Sequence, residues 1–394
     1  MGVALLPSQI GGVNMAEKDL PTGITLRKDG RYMWRFKYNG LTYSGYTKKL
    51  KDAEKQMRDK RYEVEHGLYS KEKNIILDAW FKEWIDTYKA ADCKESTLDF
   101  YRNTYDRYIK PVFGRRKIKT LKAEQIQRFT NEKAKNYSKS IASTINFLLY
   151  DCLRQAARVG FISKNPMDNT TPPKFKPREK RKALTADQEK AFLEAVKDSS
   201  YYPLYRTAAL SGMRIGEILG LSWSDVDFKN EGIHIRHTLC YTTDRGQYLD
   251  TPKSKASRRT IPMHKGEELY ELLQHRRIEQ KRQKLRAGSL WVPNEGMEDL
   301  VFTTETGAAL YATNVRTQQR AAIRKMQEEG VDIPAFTFHT LRHCFATRCI
   351  EAGMDPKTLQ AILGHSTFAM TMDLYCDVME ETKREAMKKV QAAL

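Results

Sequence analysis

A stiff, basic connector limits what this chain can fold into. Residues 170–182 hold Pro172, Pro173 and Pro177 together with six Lys or Arg residues. That composition reads as a semi-rigid linker between folded bodies. With 394 residues, two to three domains are expected, each long enough for a hydrophobic core of its own. The periodicities on either side set the boundaries: 1–20 a flexible N-terminus, 21–70 a small sheet with a helix, 71–169 an all-helical unit, 170–182 the linker, and 183–394 a mostly helical unit with a small β-sheet and a tail helix. The predicted class is α+β, multidomain.

From Ile24 to Lys48 side chains alternate with period two around Asp29-Gly30 and Asn39-Gly40. These dipeptides favour tight hairpins because both central residues take positive φ. Three antiparallel strands follow, Ile24–Lys28, Arg31–Tyr38 and Leu41–Thr47. The middle strand places Tyr32, Trp34, Phe36 and Tyr38 on one face and Arg31, Met33, Arg35 and Lys37 on the other. A helix from about Leu50 to Glu65, ending near Gly67, covers the aromatic face and leaves the cationic one open. A solvated face is the plain alternative, but a small sheet with Arg27, Arg31, Arg35 and Lys37 can also enter a DNA groove.

Between Asn74 and Asn165 the period is helical. Leu77, Trp80, Phe81, Trp84 and Tyr88 form one stripe. Ser96-Thr97-Leu98-Asp99 reads as a capping box for a helix carrying Tyr101, Tyr105 and Tyr108, broken by Pro111 and Gly114. Leu121, Ile126 and Phe129 mark a third helix, and Ile141–Val159 a fourth. Aromatics at this spacing belong to a core. Lys133, Lys135, Lys139, Arg154 and Arg158 are candidates for phosphate contacts.

Beyond the linker, Thr185-Ala186-Asp187-Gln188 opens the last unit with a capping box. A helical pattern runs to Leu210, and Ser211-Gly212 turns the chain so that Arg214 heads the next helix, where Glu217 reads as structural. A strand pattern spans Ile233 to Thr238, residues 264–287 form a charged helix, and another helix begins near Asn314. In His339-Thr340-Leu341-Arg342-His343, His339 and Arg342 share one helix face. Gly353 ends that helix, and Asp355 caps the next with Pro356 at its first position. Leu359, Ile362 and Leu363 supply its apolar stripe, and Gly364 stops it beside His365. Tyr375 follows. A phosphodiester suits this set, since arginine binds phosphate oxygens in a fork and a tyrosine oxygen can attack phosphorus. Each piece also has a bland reading. His339 and His343 stand four apart as in a zinc site, but that motif's glutamate is missing, because Thr340 follows His339.

Taken in order, Leu210-Ser211-Gly212-Met213-Arg214-Ile215-Gly216-Glu217, His339-x-x-Arg342-His343, Leu363-Gly364-His365-Ser366 and Tyr375 resemble the signature of the tyrosine recombinases, and within them the integrases of phages and conjugative transposons. The resemblance implies a site-specific recombinase working through a 3′-phosphotyrosyl intermediate and a Holliday junction. It makes Tyr375 the nucleophile, Arg214 and Arg342 the phosphate clamp, His339 a proton acceptor or donor, His365 a hydrogen-bond donor, and His343 a support for its helix. In Thr251-Pro252-Lys253-Ser254-Lys255 it points to Lys253 as the general acid, with Lys255 as competitor. It assigns the sheet unit to arm sites and the helical unit to the core site; the stiff cationic linker by its composition suits a clamp lying along a duplex, and equally a plain interdomain spacer. It further implies double-stranded DNA with core and arm attachment sites, a homotetramer on DNA whose tail helices (Val378, Met387, Val390) pack on neighbours, and an accessory excision factor. No cofactor and no metal are implied. A type IB topoisomerase shares the chemistry, and a DNA-binding regulator could share the fold.

Composition agrees with a polyanion as partner. The formal charge is +19 with 40% hydrophobic residues, which describes a folded basic protein rather than a basic tail. Six cysteines without a Cys-x-x-Cys pair point to reduced thiols. Residues 1–14 lack the features of a signal peptide, Met15 offers a second start, and no apolar run reaches membrane length. The expected location is the bacterial cytoplasm, at the nucleoid, away from membranes.

Overall fold

The computed structural model describes residues 20–38, 41–65, 74–175, 183–252, 255–375, 387 and 390–391. The N-terminus expected to be flexible, the turn expected at Asn39-Gly40, the helix end expected near Gly67, most of the basic part of the linker, Lys253 and nearly all of the tail lie outside the described residues. The chain divides into two compact units, Met1–Pro177 and Arg178–Leu394.

In the first unit, β1 (Ile24–Leu26), β2 (Tyr32–Tyr38) and β3 (Leu41–Thr47) pair antiparallel in that order. Alternation buries Trp34 and Phe36 and exposes Arg35 and Lys37. α1 (Leu50–Glu65) covers the aromatic face with Ala53 and Val64, and Trp34 Nε1 donates to Gln56 Oε1 at 3.2 Å. Gly45 stands opposite Trp34 because a Cβ there would lie 2.5 Å from the indole. The Asp29-Gly30 turn differs from the expected one. Only Gly30 takes a positive φ (+74°), because the Asp29 carboxylate accepts from Arg31 N at 3.1 Å and closes the turn from its own side chain.

α2 (Leu77–Trp84) runs on through a widened π turn, Ile85–Lys89. α3 (Glu95–Thr104) passes through a second π turn, Tyr105–Ile109, into α4 (Lys110–Phe113). Pro111 therefore does not break the helix. The π turn shifts the hydrogen-bond register ahead of it, and the proline falls in the first turn of α4, where a missing N–H is harmless. The expected box at Ser96 is also absent: α3 begins at Glu95 without a side-chain cap, and Glu95 accepts from Arg102 at 2.8 Å instead. α5 (Ala123–Asn136) and α6 (Lys139–Arg158) complete the unit, α6 capped by Ser138. Trp80, Trp84, Tyr105, Ile145 and Leu148 are buried together, so the aromatic stripe is core.

In the second unit Thr185 and Gln188 form the expected capping box on α7 (Ala186–Ala195). α8 (Tyr202–Ser211) ends at left-handed Gly212, and α9 (Ile215–Leu219) starts beyond Arg214. The strand expected from Ile233 to Thr238 is two strands. β4 (Val226–Asp227), β5 (Gly232–Ile235) and β8 (Arg259–Pro262) form one sheet, while β6 (Thr238–Thr242) and β7 (Gly246–Asp250) form a separate hairpin. At the break, buried Asp225 draws in Arg236 at 3.0 Å and His237 at 3.5 Å. α10 (Glu268–Ala287), α11 (Ala312–Glu328), α12 (Phe338–Glu351) and α13 (Pro356–Leu363) follow, and residues 368–375 are helical. Leu193, Tyr205, Ile218, Ile233, Val301 and Leu341 lie in one buried core. No described helix is long and apolar enough to cross a membrane.

Candidate active site

Two glycines bring distant segments together. Gly212 has φ +62°, and a Cβ on it would stand 2.4 Å from Phe345 Cδ1, so only glycine lets α8 close onto α12. Its carbonyl accepts from Arg342 Nη1 at 2.8 Å. Gly364 has φ +65° and ends α13. Arg342 Nη2 donates to Leu363 O at 2.7 Å and Arg214 Nη2 to Gly364 O at 3.2 Å. Both arginines are thus anchored on consecutive carbonyls, with His365 next in the chain.

Glu217 lies beneath Arg214. Its Oε2 accepts from Arg214 N at 2.9 Å and its Oε1 from Arg214 Nη1 at 2.6 Å. The same carboxylate accepts from Arg259 Nη1 at 3.2 Å and Nη2 at 2.9 Å. Burial works to raise the Glu217 carboxyl, but Arg259 and then Arg214 outweigh it, and the group is held below its ordinary value. Nothing in the sequence spacing pointed to Arg259, because the contact crosses from β8 to α9.

Arg342 is buried, and its guanidinium is lowered to about 9, first by burial and then by the charge of Arg214. It stays protonated at neutral pH. His365 is buried, its Nδ1 2.9 Å from Thr371 Oγ1, and it is lowered to about 4 by burial and then by Arg342 and Arg214. His339 is also lowered to about 4, first by the protein packed around its ring and then by His343, Arg342 and Arg214. The residue as a whole is nonetheless exposed to solvent. The His339 and His343 rings meet edge to face at 4.7 Å. Among the described residues no group of His, Cys, Asp or Glu could hold a metal ion.

Arg214 and Arg259 share the carboxylate of Glu217, and Arg342 is held on main-chain carbonyls nearby and senses that charge without pairing with it. Three guanidiniums thus face one carboxylate, and the cluster carries excess positive charge with both histidines neutral. Buried charge without a counter-ion is costly, and the arrangement therefore favours an anion. Arg214 and His339 face a cavity of about 320 Å³ that Arg316 also lines. Arg316 was not picked out from the sequence, where it is one arginine among many on α11. A larger hollow of about 580 Å³ is lined by Leu193, Leu210, Phe345 and Cys349 and shares no residue with the cluster.

Tyr375 is not in the cluster. It is buried with Ala346, Leu359 and Leu363, and its hydroxyl donates to Met354 O. Of the remaining candidates, Arg35, Lys37 and Lys139 are exposed. Arg27 and Arg31 flank Tyr46, and Arg31 Nη2 pairs with Asp29 at 2.7 Å. Arg154 pairs with buried Asp151, which Lys89 also reaches at 2.5 Å. Lys255 opens the short turn Lys255–Ser257 ahead of β8.

Residues 182–382 match the Phage integrase family, and residues 77–134 match the Phage integrase, N-terminal SAM-like domain. The chain belongs to the phage integrase family. It is a tyrosine recombinase of the integrase type, an enzyme that cuts and rejoins DNA strands. Among its relatives in this family, the tyrosine recombinase XerC-like protein of Caldanaerobacter subterraneus subsp. tengcongensis is 28% identical over 87% of this chain and 90% of its own. The transposase from transposon Tn916 of Enterococcus faecalis is 26% identical over 94% of both. The fold is shared with the Tn1549 transposon integrase, solved in complex with transposon right end DNA (24% identity, TM-score 0.65, 80% of this chain and 100% of that one). It is also shared with a lambda integrase tetramer bound to a Holliday junction (19% identity, TM-score 0.53, 91% and 96%).

Proposed function

We propose that this integrase moves a mobile element by cutting double-stranded DNA with Tyr375 as nucleophile. The phenol oxygen forms a bond to the scissile phosphorus while the bond to the 5′-oxygen breaks, leaving a 3′-phosphotyrosyl link and a free 5′-hydroxyl. Attack of another strand's 5′-hydroxyl reverses the step without a nucleotide cofactor. Arg214 and Arg342 hold the non-bridging oxygens and stabilise the charge of the pentacoordinate state. Lys253 protonates the leaving oxygen, and His339 takes or returns the proton of Tyr375. His365 donates to the phosphate through Nε2 when its Nδ1 accepts from Thr371.

The observation that carries this reading is the anchoring of Arg214 and Arg342 on adjacent carbonyls, which aims two guanidiniums at one anion. The basic charge supports DNA as that anion's source. The sheet of β1–β3 binds arm sites through Arg27, Arg31, Arg35 and Lys37, and the helices of residues 71–169 bind the core site with Lys139 and Arg154. Linker 170–182 spans the duplex, and catalytic residues 183–394 act on it as a homotetramer, which is the state of the lambda integrase on its Holliday junction. An accessory factor directs excision. The enzyme works at the nucleoid in the bacterial cytoplasm.

The test is covalent capture on a nicked duplex carrying the element's attachment site. Wild-type protein should give a DNA-linked band on a denaturing gel. Tyr375→Phe should bind the duplex and give none. A linked band from the Phe variant would remove Tyr375 from the reaction.

A further inference from the structure

Every nitrogen of the Arg259 guanidinium group donates a hydrogen bond. The residue opens β8 just past the turn Lys255–Ser257 and is only 5% exposed. Its Nε donates to Ile362 O, Nη1 to Ser257 O at 3.1 Å, and Nη1 and Nη2 to the two oxygens of Glu217. One side chain thus joins the end of the lysine loop, the carboxylate under Arg214, and the last turn of α13. The missing side chain of Gly364 makes room for this: a Cβ there would stand 3.0 Å from both Arg259 Cδ and Ala256 O.

A buried ion pair by itself contributes little net stability, so stability alone is a weak reason for this geometry. The division of Glu217 is more informative. Each of its oxygens accepts one bond from Arg214 and one from Arg259. Because Arg259 occupies part of both oxygens, Arg214 gives the carboxylate only one guanidinium nitrogen and places the other on Gly364 O. Without Arg259, the 35%-exposed Arg214 side chain could close on Glu217 as a two-pronged pair and lose its aim at a phosphate.

We propose that Arg259 is a positioning residue for strand cleavage: by sharing Glu217 it keeps Arg214 from pairing fully with that carboxylate and holds it on the Gly364 carbonyl, directed at the scissile phosphate. This rests on the assignment of Arg214 to the phosphate clamp.

The test is a double-mutant cycle read by single-turnover covalent capture, with each rate normalised to the DNA-binding fraction. Arg259→Lys keeps the charge but cannot divide the carboxylate. It should bind DNA like wild type and cleave about a hundredfold more slowly, the scale of a misplaced catalytic group. In an Arg214→Lys background the same change should cost less than about threefold, because the group it positions is already gone. A substrate with a 5′-bridging sulfur, which needs no acid, should leave the Arg259→Lys defect in place. Additive losses, a wild-type rate in the single variant, or rescue by sulfur would each overturn the proposal. Should Arg259→Lys fail to fold, Glu217→Gln reads the same coupling from the other end and must also be non-additive with Arg214→Lys. Absence of covalent capture by the wild-type protein would instead count against the assignment of Tyr375.

Discussion

The hydroxyl of Tyr375 donates to the main-chain carbonyl of Met354, directly before the Asp355 cap of α13. Burial, then nearby Asp355 and Cys349, hold that hydroxyl above its ordinary value. A neutral phenol whose proton is held by a carbonyl is a weak nucleophile, so the role proposed for Tyr375 requires this bond to be exchanged for DNA before attack. With 3-fluorotyrosine at position 375, the fluorine resonance should move when a duplex with an uncleavable scissile linkage binds. An unmoved resonance, in a protein that still cleaves the natural duplex, would show that Tyr375 reacts from where it rests.

His339 and His365 give the stability of the second unit an acid limb. Both are lowered to about 4 from an ordinary 6.5, so the unfolded chain takes up protons before the folded one does. The stability linked to them is fully present above pH 6.5 and is lost as pH falls towards 4. Urea midpoints should therefore drop between pH 7 and pH 5, and the drop should shrink in His365→Asn. An equal drop in that variant would place the acid sensitivity elsewhere.

Gly212→Ala should be costly for two separate reasons. The left-handed backbone costs an L-residue about 1–2 kcal/mol, and the new methyl would meet Phe345 and Leu363, at 2.4 and 2.9 Å. Together these should lower the unfolding free energy by more than about 2 kcal/mol. Cleavage should fall with it, since the Gly212 carbonyl holds Arg342. A urea midpoint equal to wild type would contradict the packing of α8 on α12.

Lys253→Ala should slow cleavage by about a hundredfold to ten-thousandfold, the range for lost acid catalysis. A 5′-bridging sulfur leaves without a proton and should restore the rate. Lys255→Ala should show no such substrate-specific rescue. The reverse pattern would make Lys255 the acid.

Arg35 and Lys37 project from the open face of β2. Changing both to Gln should weaken arm-site binding and reduce its salt slope by about two, one per lost phosphate contact. Core-site cleavage should stay intact. Equal loss of both activities would mean that the sheet serves the fold and not an arm site.

Local chemistry made much of this legible from the sequence. Asp355 and Pro356 begin α13 and Gly364 ends it, because caps and left-handed termini depend on residues within one turn. Period-two alternation alone decided which face of β2 is aromatic, and the helical stripe of Trp80 and Trp84 announced a core. Where a tertiary contact competes with a local preference, the sequence misleads. Pro111 passes through a helix because a π turn precedes it, and the strand expected from Ile233 to Thr238 divides where buried Asp225 draws in Arg236 and His237. The order of Arg214, His339, Arg342, His365 and Tyr375 was likewise readable, but their relation was not. Only the folded chain places two guanidiniums on adjacent carbonyls, divides Glu217 between Arg214 and Arg259, and rests Tyr375 on Met354. These are bonds between segments far apart in sequence, and no spacing rule encodes which carbonyl a distant side chain will meet.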